Sequence, residues 1–369
     1  MKKIIIIQHE PLTPNIENKF CINELITAGF DLEYWDISQL IYPGLTLSDK
    51  KVYEYLRIIY AMEDFQRLWN NLPENCVAIT ECFYISETRK IWEILRSRRI
   101  PLIRLERYAN TDLDESFFKK LIAHLSPKKI IQFLKNANFR HSMKKIGITS
   151  TNRYDYYLTS GNKSKCDCKI NHPDYDDFLM HKNDEPYLRE RYICYVDVGF
   201  GIHPDEKYFM HDIHMSNEKW QLKLSTFFTE IEKKYGIPVV IAVHPKIEYS
   251  DDAFGGRRKI KYQTLNLVLN AEFVLQDISN SLAFSILANK KIGLIATKDF
   301  LKIYKNYLMK ISQKIGIPIF NIDKQRYTDF EARTVNEILR KSYIESYLCT
   351  EDTKNELTSD ILIKFLSTL

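Results

Sequence analysis

Short apolar runs rich in Ile, Val and Leu alternate with helical patterns along most of the chain. The first run is Ile4–Ile7, and a similar run over 237–243 ends abruptly at His244. Short buried strands separated by helix-length segments are typical of a parallel sheet covered by helices. The sequence therefore predicts an α/β fold.

These runs fall into two series, separated by a polar segment at 160–190 that is poor in aliphatic residues. A chain of 369 residues is also too long for one ordinary core. The sequence predicts two Rossmann-like domains that face a central cleft. The expected boundaries are an N-terminal domain at 1–160, a polar connection at 161–190, a C-terminal domain at 191–350 and a C-terminal helix at 351–369 that could pack back on the N-terminal domain.

Hydrophobic periodicity places the elements of each domain. In the N-terminal domain the predicted strands are 3–7, 30–35, 76–80, 101–105 and 154–159, and the predicted helices are 16–28, 53–71, 86–98, 115–125 and 127–144. In the rest of the chain the predicted strands are 192–197, 237–243, 258–262, 273–276, 291–296 and 317–321, and the predicted helices are 216–235, 264–271, 280–289, 299–314, 334–347 and 352–368.

Composition limits the classes of protein to consider. A 45% apolar and 13% aromatic content indicates a folded globular chain, and a net charge of +5 does not by itself indicate a nucleic-acid binder. Seven irregularly spaced cysteines favour a reducing compartment over a disulfide framework. The apolar run at the N-terminus is too short for a signal peptide or a membrane span. We expect a cytoplasmic protein that could associate with a membrane surface.

Two strand ends carry groups that suit an anion. His244-Pro245-Lys246 follows one predicted strand, and Ser279-Asn280-Ser281 follows another at the start of a helix. His and Lys side chains donate to phosphate, and a helix start offers free N–H groups. Each motif alone also fits a simple strand or helix cap, but together they predict an anion pocket.

A third strand end supplies a carboxylate, in Asp197-Val198-Gly199. Asp197 could accept a proton from a sugar hydroxyl or could cap its own turn, and Asp205 is an alternative base. His203, His211 and His214 follow, but their spacing matches no standard metal-ligand pattern. Two further interpretations concern other segments: the turn around Arg257 is expected to be a solvated basic turn, and His9-Glu10 after the first strand is a candidate for acceptor contacts.

Taken together, these motifs resemble inverting glycosyltransferases of the two-domain GT-B type. More narrowly, they resemble the bacterial sialyltransferase and polysialyltransferase-like enzymes of surface carbohydrate biosynthesis, which have an acidic-acidic-Gly motif, a His-Pro motif and a Ser-rich motif in that order. His244-Pro245 and Ser279-Asn280-Ser281 match the last two motifs. Asp197-Val198-Gly199 keeps only one acid of the first, so the resemblance is weakest there.

The resemblance implies a donor domain in the C-terminal half and an acceptor domain in the N-terminal half. The donor would be a CMP-activated nonulosonic acid of the sialic, legionaminic or pseudaminic type, and the acceptor a capsular, O-antigen or lipooligosaccharide glycan. His244 would contact the donor phosphate and assist the departure of CMP, Ser279 and Ser281 would hold the same phosphate, and Asp197 would be the base. Pro245, Lys246, Gly199 and Asn280 would complete the donor site.

Such a site would need neither metal nor cofactor, because a protein cation and amides stabilise the leaving phosphate. Three alternatives stay open on the sequence. One is a GT-B transferase with a UDP-, GDP- or CDP-linked donor. Another is a nucleotide-sugar epimerase or hydrolase on the same scaffold. The third is a non-catalytic scaffold of a glycan-assembly complex, which the Val198 departure keeps open.

Overall fold

A computed structural model describes residues 2–44, 53–107, 127–162, 166–202, 216–245 and 247–369. Within these ranges the chain forms two parallel sheets, each covered by helices. The prediction of two Rossmann-like domains is confirmed. The predicted helix at 115–125 lies outside the described residues.

The N-terminal sheet has the strand order β3-β2-β1-β4-β5-β6-β7, with all neighbours parallel. Its first strand is buried on both faces, because Ile5 and Ile7 pack into one core cluster and Ile4 and Ile6 into another. The strands are β1 Lys3–Gln8, β2 Asp31–Asp36, β3 Leu56–Ile58, β4 Cys76–Thr80, β5 Leu102–Glu106, β6 Tyr156–Ser160 and β7 Cys168–Ile170.

Two predicted helices of this domain take a different form in the structure. The pattern at 16–28 divides in two because Cys21 adopts a left-handed backbone conformation. The first residues of the predicted helix at 53–71 instead form a strand that pairs with the free edge of β2. This pairing depends on tertiary contacts, which the local periodicity of the sequence does not reveal. The helices are α1 Pro14–Lys19, α2 Ile22–Thr27, α3 Ser38–Ile41, α4 Met62–Asn70, α5 Arg89–Leu95, α6 Pro127–Lys145 and α7 Pro173–His181.

The C-terminal sheet has the order β10-β9-β8-β11-β12-β13, with β14 antiparallel to β12. The first part of the predicted helix at 334–347 is this edge strand. The strands are β8 Ile193–Val196, β9 Val239–Ala242, β10 Lys259–Ile260, β11 Val274–Gln276, β12 Lys291–Ala296, β13 Ile319–Asn321 and β14 Arg333–Thr334. The helices are α8 Asn217–Tyr235, α9 Thr264–Asn270, α10 Leu282–Leu287, α11 Lys298–Ile315, α12 Glu337–Tyr343 and α13 Thr358–Thr368, with a π-helical turn at Ile344–Leu348.

The polar connection contains ordered elements that the sequence pattern did not predict. Strand β7 completes the N-terminal sheet, and helix α7 contacts α9 and α10 of the C-terminal domain. Phe178 of α7 packs against the C-terminal core. Because α7 carries few aliphatic residues, its composition is typical of a loop, and the sequence did not predict a helix there.

The C-terminal helix returns to the N-terminal domain. Leu362 and Leu366 of α13 are fully buried in the same cluster as Ile4 and Ile6. The Lys2 ammonium also donates to the Leu366 carbonyl oxygen at 2.7 Å. Helix α13 therefore covers one face of the N-terminal sheet.

The two domains are in close contact beside Gly161, which follows β6. A Cβ atom built on Gly161 would lie 2.2 Å from the Ser346 carbonyl oxygen, and the next amide, Asn162 N–H, donates to the Glu345 oxygen at 2.9 Å. Gly161 also has a φ of +66°, in the left-handed region that favours glycine. Only glycine fits this junction without displacing the backbone of the other domain.

We expect Gly161→Ala to lower the melting temperature more than Gly147→Ala does. Gly147 has a φ of +80° but nothing within 4 Å of its added Cβ. The Gly147→Ala variant therefore measures only the free-energy cost of placing a Cβ atom in the left-handed conformation. That cost is about 1–2 kcal/mol, and the clash with Ser346 should raise the loss for Gly161→Ala to about 2–4 kcal/mol. Equal shifts in thermal denaturation would show that the junction is not tightly packed.

No helix in the described part of the chain is long and apolar enough to cross a bilayer.

Candidate functional site

Each sheet reverses its strand order once, between β1 and β4 in the first domain and between β8 and β11 in the second. Ligands of open α/β sheets bind beyond the carboxyl ends of the strands at such a switch point. The two carboxyl edges face each other, as two contacts between the domains show. The turn after β6 touches Ser346. Helix α7, which follows β7, packs on α10, which follows β11. The central cleft therefore has a switch point on each side.

Three of the predicted site segments meet at the C-terminal switch point. His244 follows β9, Asp197 follows β8 and Ser279 follows β11, and these three parallel strands are consecutive in the sheet. Asp197 thus lies between the His-Pro turn and the Ser-rich turn. The topology therefore places these three segments side by side at the carboxyl edge of the sheet.

Asp197 is buried, with 2% of its surface exposed. One carboxylate oxygen accepts the Gly199 N–H at 3.0 Å, the other accepts the His244 N–H at 3.4 Å, and the Tyr249 hydroxyl lies 3.1 Å from both. Gly199 has a φ of +64°, which lets the chain turn back over the carboxylate. Asp197 therefore ties the turns after β8 and β9 together.

His244 is half-buried on the turn that Asp197 holds. Its carbonyl oxygen accepts the Ile247 N–H at 3.0 Å, which closes a tight turn around Pro245. The two backbone bonds described for His244 use its N–H and its carbonyl oxygen and not its imidazole. Lys246 lies outside the described residues.

The turn after β11 is built on a second buried carboxylate. Asp277 is 4% exposed, accepts the Ile278 N–H at 2.5 Å and accepts the Tyr195 hydroxyl at 3.1 Å. The sequence pattern singled out neither Tyr195 nor Tyr249. Tyr195 lies in an apolar strand and looks like a core residue, Tyr249 lies in a polar turn between Glu248 and Ser250, and the carboxylates that both contact are distant in sequence.

The Ser-rich turn leads into helix α10 as predicted. Ser279 and Ser281 are partly exposed, and Asn280 is exposed. The Ser281 N–H donates to the Ser279 hydroxyl at 3.3 Å, whereas the Ser279 and Asn280 amides donate to no group within the described ranges. These two amides and the serine hydroxyls are donors available to an anion.

Burial raises the pKa of both carboxyl groups. It raises the pKa of Asp197 to about 6, against the opposing effect of the hydrogen bonds from Gly199, His244 and Tyr249. It raises the pKa of Asp277 to about 7, and the nearby charge of Asp197 raises it further. Both carboxyl groups therefore titrate closer to neutral pH than an exposed Asp does.

This pair makes stability depend on pH. A carboxyl group whose folded pKa lies above its unfolded value of about 4 stabilises the fold below pH 4, and this contribution is lost as pH rises through 6 and 7. Asp277→Asn should therefore exceed the wild type in stability by about 1–3 kcal/mol at pH 8. The difference should shrink towards pH 4.5.

Melting temperatures measured from pH 4.5 to 8 test this prediction. Asp252→Asn is the matched control, because Asp252 is exposed and its pKa is lowered by the Ser250 hydroxyl. If the Asp277→Asn and wild-type curves run parallel, then Asp277 does not titrate in this range.

The N-terminal switch point presents a different set of groups. His9 is half-buried, and its ring centroid lies 4.4 Å from that of Phe83 and 6.2 Å from that of Tyr42. The next residue, Glu10, is fixed through its carbonyl oxygen, which accepts the Tyr34 hydroxyl at 2.6 Å. An imidazole framed by aromatic rings thus lies at the N-terminal switch point.

A second imidazole at this edge has a structural role. His172 follows β7 and caps α7 by accepting the Asp174 N–H at 3.2 Å. Burial, together with the Arg107 charge, lowers the pKa of His172 to about 3. His172 therefore stays neutral at physiological pH.

Several predictions have a different or an untested outcome. Arg257 is not solvated, because its guanidinium bonds Glu232 at 2.6 and 2.9 Å and the Ser225 hydroxyl at 2.9 Å. Asp205, His203, His211 and His214 lie outside the described residues. Within the described ranges there is no group of three His, Cys, Asp or Glu side chains placed to hold a metal ion.

Comparison with known proteins gives a result at the level of fold. No protein-family model and no curated sequence matches the chain. Among solved structures, the wall teichoic acid polymerase TagF, as its H548A variant, aligns over 100% of this chain and 89% of its own, with 9% identity and a TM-score of 0.56. The TagF H444N variant soaked with CDPG aligns over 100% and 88%, with 10% identity and a TM-score of 0.53.

The chain has the GT-B fold. The likeness covers the whole of this chain and therefore both of its domains. At 9% identity the likeness extends to the fold and not to individual residues.

Proposed function

We propose that the protein is an inverting glycosyltransferase that binds a nucleotide-linked sugar on its C-terminal domain and an acceptor hydroxyl on its N-terminal domain. One observation carries the proposal: His244 and the Ser279–Ser281 turn lie on either side of Asp197 at the C-terminal switch point of a GT-B fold. A donor phosphate there would meet an imidazole, two serine hydroxyls and two available amides.

The preferred donor is a CMP-linked nonulosonic acid, and the preferred acceptor is a surface glycan. The support is the order of the Asp197-Val198-Gly199, His244-Pro245 and Ser279-Asn280-Ser281 motifs. UDP-, GDP- and CDP-linked donors are the alternatives, and the likeness to TagF, one structure of which was obtained with CDPG, is a reason to include CDP in any test.

In the proposed reaction the acceptor oxygen forms a bond to the anomeric carbon while the bond from that carbon to the phosphate oxygen breaks. The electron pair of the broken bond stays on the phosphate, and the hydroxyl proton passes to a base. His244 and the donors of the Ser-rich turn would stabilise the charge that develops on the leaving phosphate. Preorganised donors of this kind contribute about 3–4 kcal/mol each in a site that excludes water.

Asp197 is better placed to position His244 than to act as the base. Its carboxylate is buried and accepts hydrogen bonds from Gly199, His244 and Tyr249, so a hydroxyl could approach it only if that network opened. Among the described residues, His9 is the imidazole at the opposite switch point that does not cap a helix. We therefore assign the role of base to His9.

Thermal denaturation with CMP, CDP, UDP and GDP tests the donor assignment. A ligand that binds only the folded state raises the melting temperature, and we expect the largest rise with CMP. Stabilisation by UDP or GDP alone would refute the CMP assignment and leave the transferase proposal standing. Stabilisation by none of the four nucleotides would count against both.

Product analysis with the donor that binds separates transfer from the alternatives. A transferase releases nucleotide in proportion to the acceptor added. Release or epimerisation of the sugar at the same rate without acceptor would indicate a hydrolase or an epimerase.

A further inference from the structure

Two carboxyl groups lie side by side at the base of the proposed phosphate site. Tyr195 of β8 pairs with Leu275 of β11, so Asp197 and Asp277, each two residues further along, follow the ends of the two strands at the same level. Neighbouring strands lie about 4.8 Å apart, and residues two apart along a strand lie on the same face of the sheet. Asp197 is 2% exposed and Asp277 is 4% exposed. Two acidic groups therefore share one region from which water is excluded.

Within the described part of the chain, no cation pairs with these two carboxyl groups. Lys223 lies on α8, which packs over this face of the sheet, but its ammonium pairs instead with Asp299 and Asp323, at 3.1 Å each. Helix α10, which follows the turn after β11, contains no charged residue. The two buried carboxyl groups therefore depend on neutral hydrogen-bond donors.

The donors to the pair are hydroxyl and backbone groups. The Tyr195 hydroxyl donates to Asp277 at 3.1 Å, and the Tyr249 hydroxyl lies 3.1 Å from both carboxylate oxygens of Asp197. Burial raises the pKa of both tyrosines further above the usual value of about 10, so neither ionises near neutral pH. The turn after β9 contributes the His244 N–H, 3.4 Å from Asp197. Asp197, Asp277 and His244 are therefore the described groups at this site that can change charge near neutral pH.

Asp277 is the member of the pair that takes up a proton first. Burial and, to a smaller extent, the charge of Asp197 raise its pKa to about 7, whereas burial raises the pKa of Asp197 to about 6. Asp277 also begins the turn whose Ser279 and Asn280 amides are available to an anion. A phosphate at that turn would add a third negative charge close to the pair, and a nearby like charge raises the pKa of a carboxyl group. Protonation of Asp277 removes one of these charges.

We propose that Asp277 takes up a proton from solvent when a nucleotide phosphate binds beside it, and thereby determines the pH range in which the nucleotide is held. The proton binds a carboxylate oxygen, and no covalent bond to the nucleotide forms or breaks. The inference rests on the proposed function, in which the phosphate of the released nucleotide can carry one more negative charge than the phosphodiester of the donor. An ionised Asp277 would therefore favour release of the product over release of the donor.

Calorimetric titration of CMP into the full chain at pH 8, in Tris and in HEPES buffer, tests the proposal. The two buffers differ in ionisation enthalpy, so the difference in the measured binding enthalpy gives the number of protons taken up. At pH 8 the CMP phosphate is a dianion and an unperturbed His is neutral. The test variant is Asp277→Asn, which keeps the size of the side chain but cannot ionise. The matched control is Asp252→Asn, because Asp252 is exposed.

We expect the wild type and the control to take up about half a proton or more when CMP binds, and Asp277→Asn to take up almost none. By the same linkage, the affinity of the wild type for CMP should fall as pH rises from 7 to 9. Asp277→Asn should bind CMP about three- to tenfold more tightly than the wild type at pH 8.5 and about equally at pH 5.5. A variant that merely damaged the site would bind more weakly at both pH values.

The proposal is overturned if the wild type takes up no proton. It is also overturned if Asp277→Asn takes up as many protons as the wild type, which would place the proton on another group such as His244. If Asp277→Asn does not fold, Tyr195→Phe replaces it. This variant removes a hydrogen bond that lowers the pKa of Asp277, so Asp277 is more often protonated before CMP binds and the uptake should fall. Unchanged uptake in Tyr195→Phe would then overturn the proposal.

A failure of this proposal can be told apart from a failure of the proposed function. Binding of CMP without proton uptake overturns this proposal and leaves the transferase proposal standing. If another of the four nucleotides binds in place of CMP, the same titrations are made with that nucleotide, since each of them brings a phosphate. If none of the four binds, both proposals fall.

Discussion

Replacing His244 by Ala is expected to lower the turnover number about 100- to 1000-fold. The reason is the loss of a preorganised donor to the leaving phosphate. Folding should be preserved, because hydrogen bonds from the backbone N–H and to the carbonyl oxygen of His244 hold this turn, and Ala keeps both groups. Initial rates of nucleotide release with acceptor present would be measured beside the melting temperature.

His181→Ala is the matched control for this measurement. His181 lies at the end of α7, is 51% exposed and pairs with Asp184 on the surface at 2.9 Å. It should retain wild-type turnover. If His244→Ala also retains it, His244 has no part in catalysis, and if both variants unfold early, the comparison would be repeated with the more conservative His244→Gln.

Replacing His9 by Asn is expected to lower turnover about 100- to 10,000-fold, because a general base contributes by that amount. Asn has a similar size and keeps the contacts with Phe83 and Tyr42 nearly intact, so stability should change little. Nucleotide binding on the other domain should be unchanged. A loss of turnover without a loss of nucleotide affinity would separate the base from a residue that only supports the fold.

The Asp197→Asn variant tests the competing assignment, in which Asp197 and not His9 is the base. If Asp197 is a positioning residue, this variant should weaken nucleotide binding through the His244 turn, and His9→Asn should still lower turnover. If Asp197 is the base, Asp197→Asn should abolish turnover with nucleotide affinity unchanged, and His9→Asn should be nearly as active as the wild type. The two outcomes exclude each other.

The strands of the fold were predictable because parallel strands are buried on both faces. Runs such as Ile4–Ile7 and 237–243 are apolar throughout, and only a few structures accept such runs. The edge strand at Leu56–Ile58 was not predictable, because it forms through pairing with β2 and not through a local sequence preference. Helix α7 was missed for the opposite reason: it is polar along most of its length.

The candidate site was predictable where adjacent residues in the sequence form a recognisable motif. His244-Pro245 and Ser279-Asn280-Ser281 are visible as residues that follow apolar runs, and parallel topology brings such strand ends together. The role of Asp197 was not visible, because it depends on the Tyr249 hydroxyl 52 residues away. Tyr195 and Asp277 form a similar pair, 82 residues apart. Partners this distant in sequence leave no local pattern.

The central claim is that a nucleoside phosphate binds at the C-terminal switch point beside His244. Calorimetric titration of CMP into the wild type, His244→Ala and His181→Ala tests it most directly. The account predicts that the wild type and His181→Ala bind with the same affinity, and that His244→Ala binds at least about tenfold more weakly through the loss of a charge-assisted hydrogen bond. Equal affinity in all three proteins would place the nucleotide elsewhere and contradict the account.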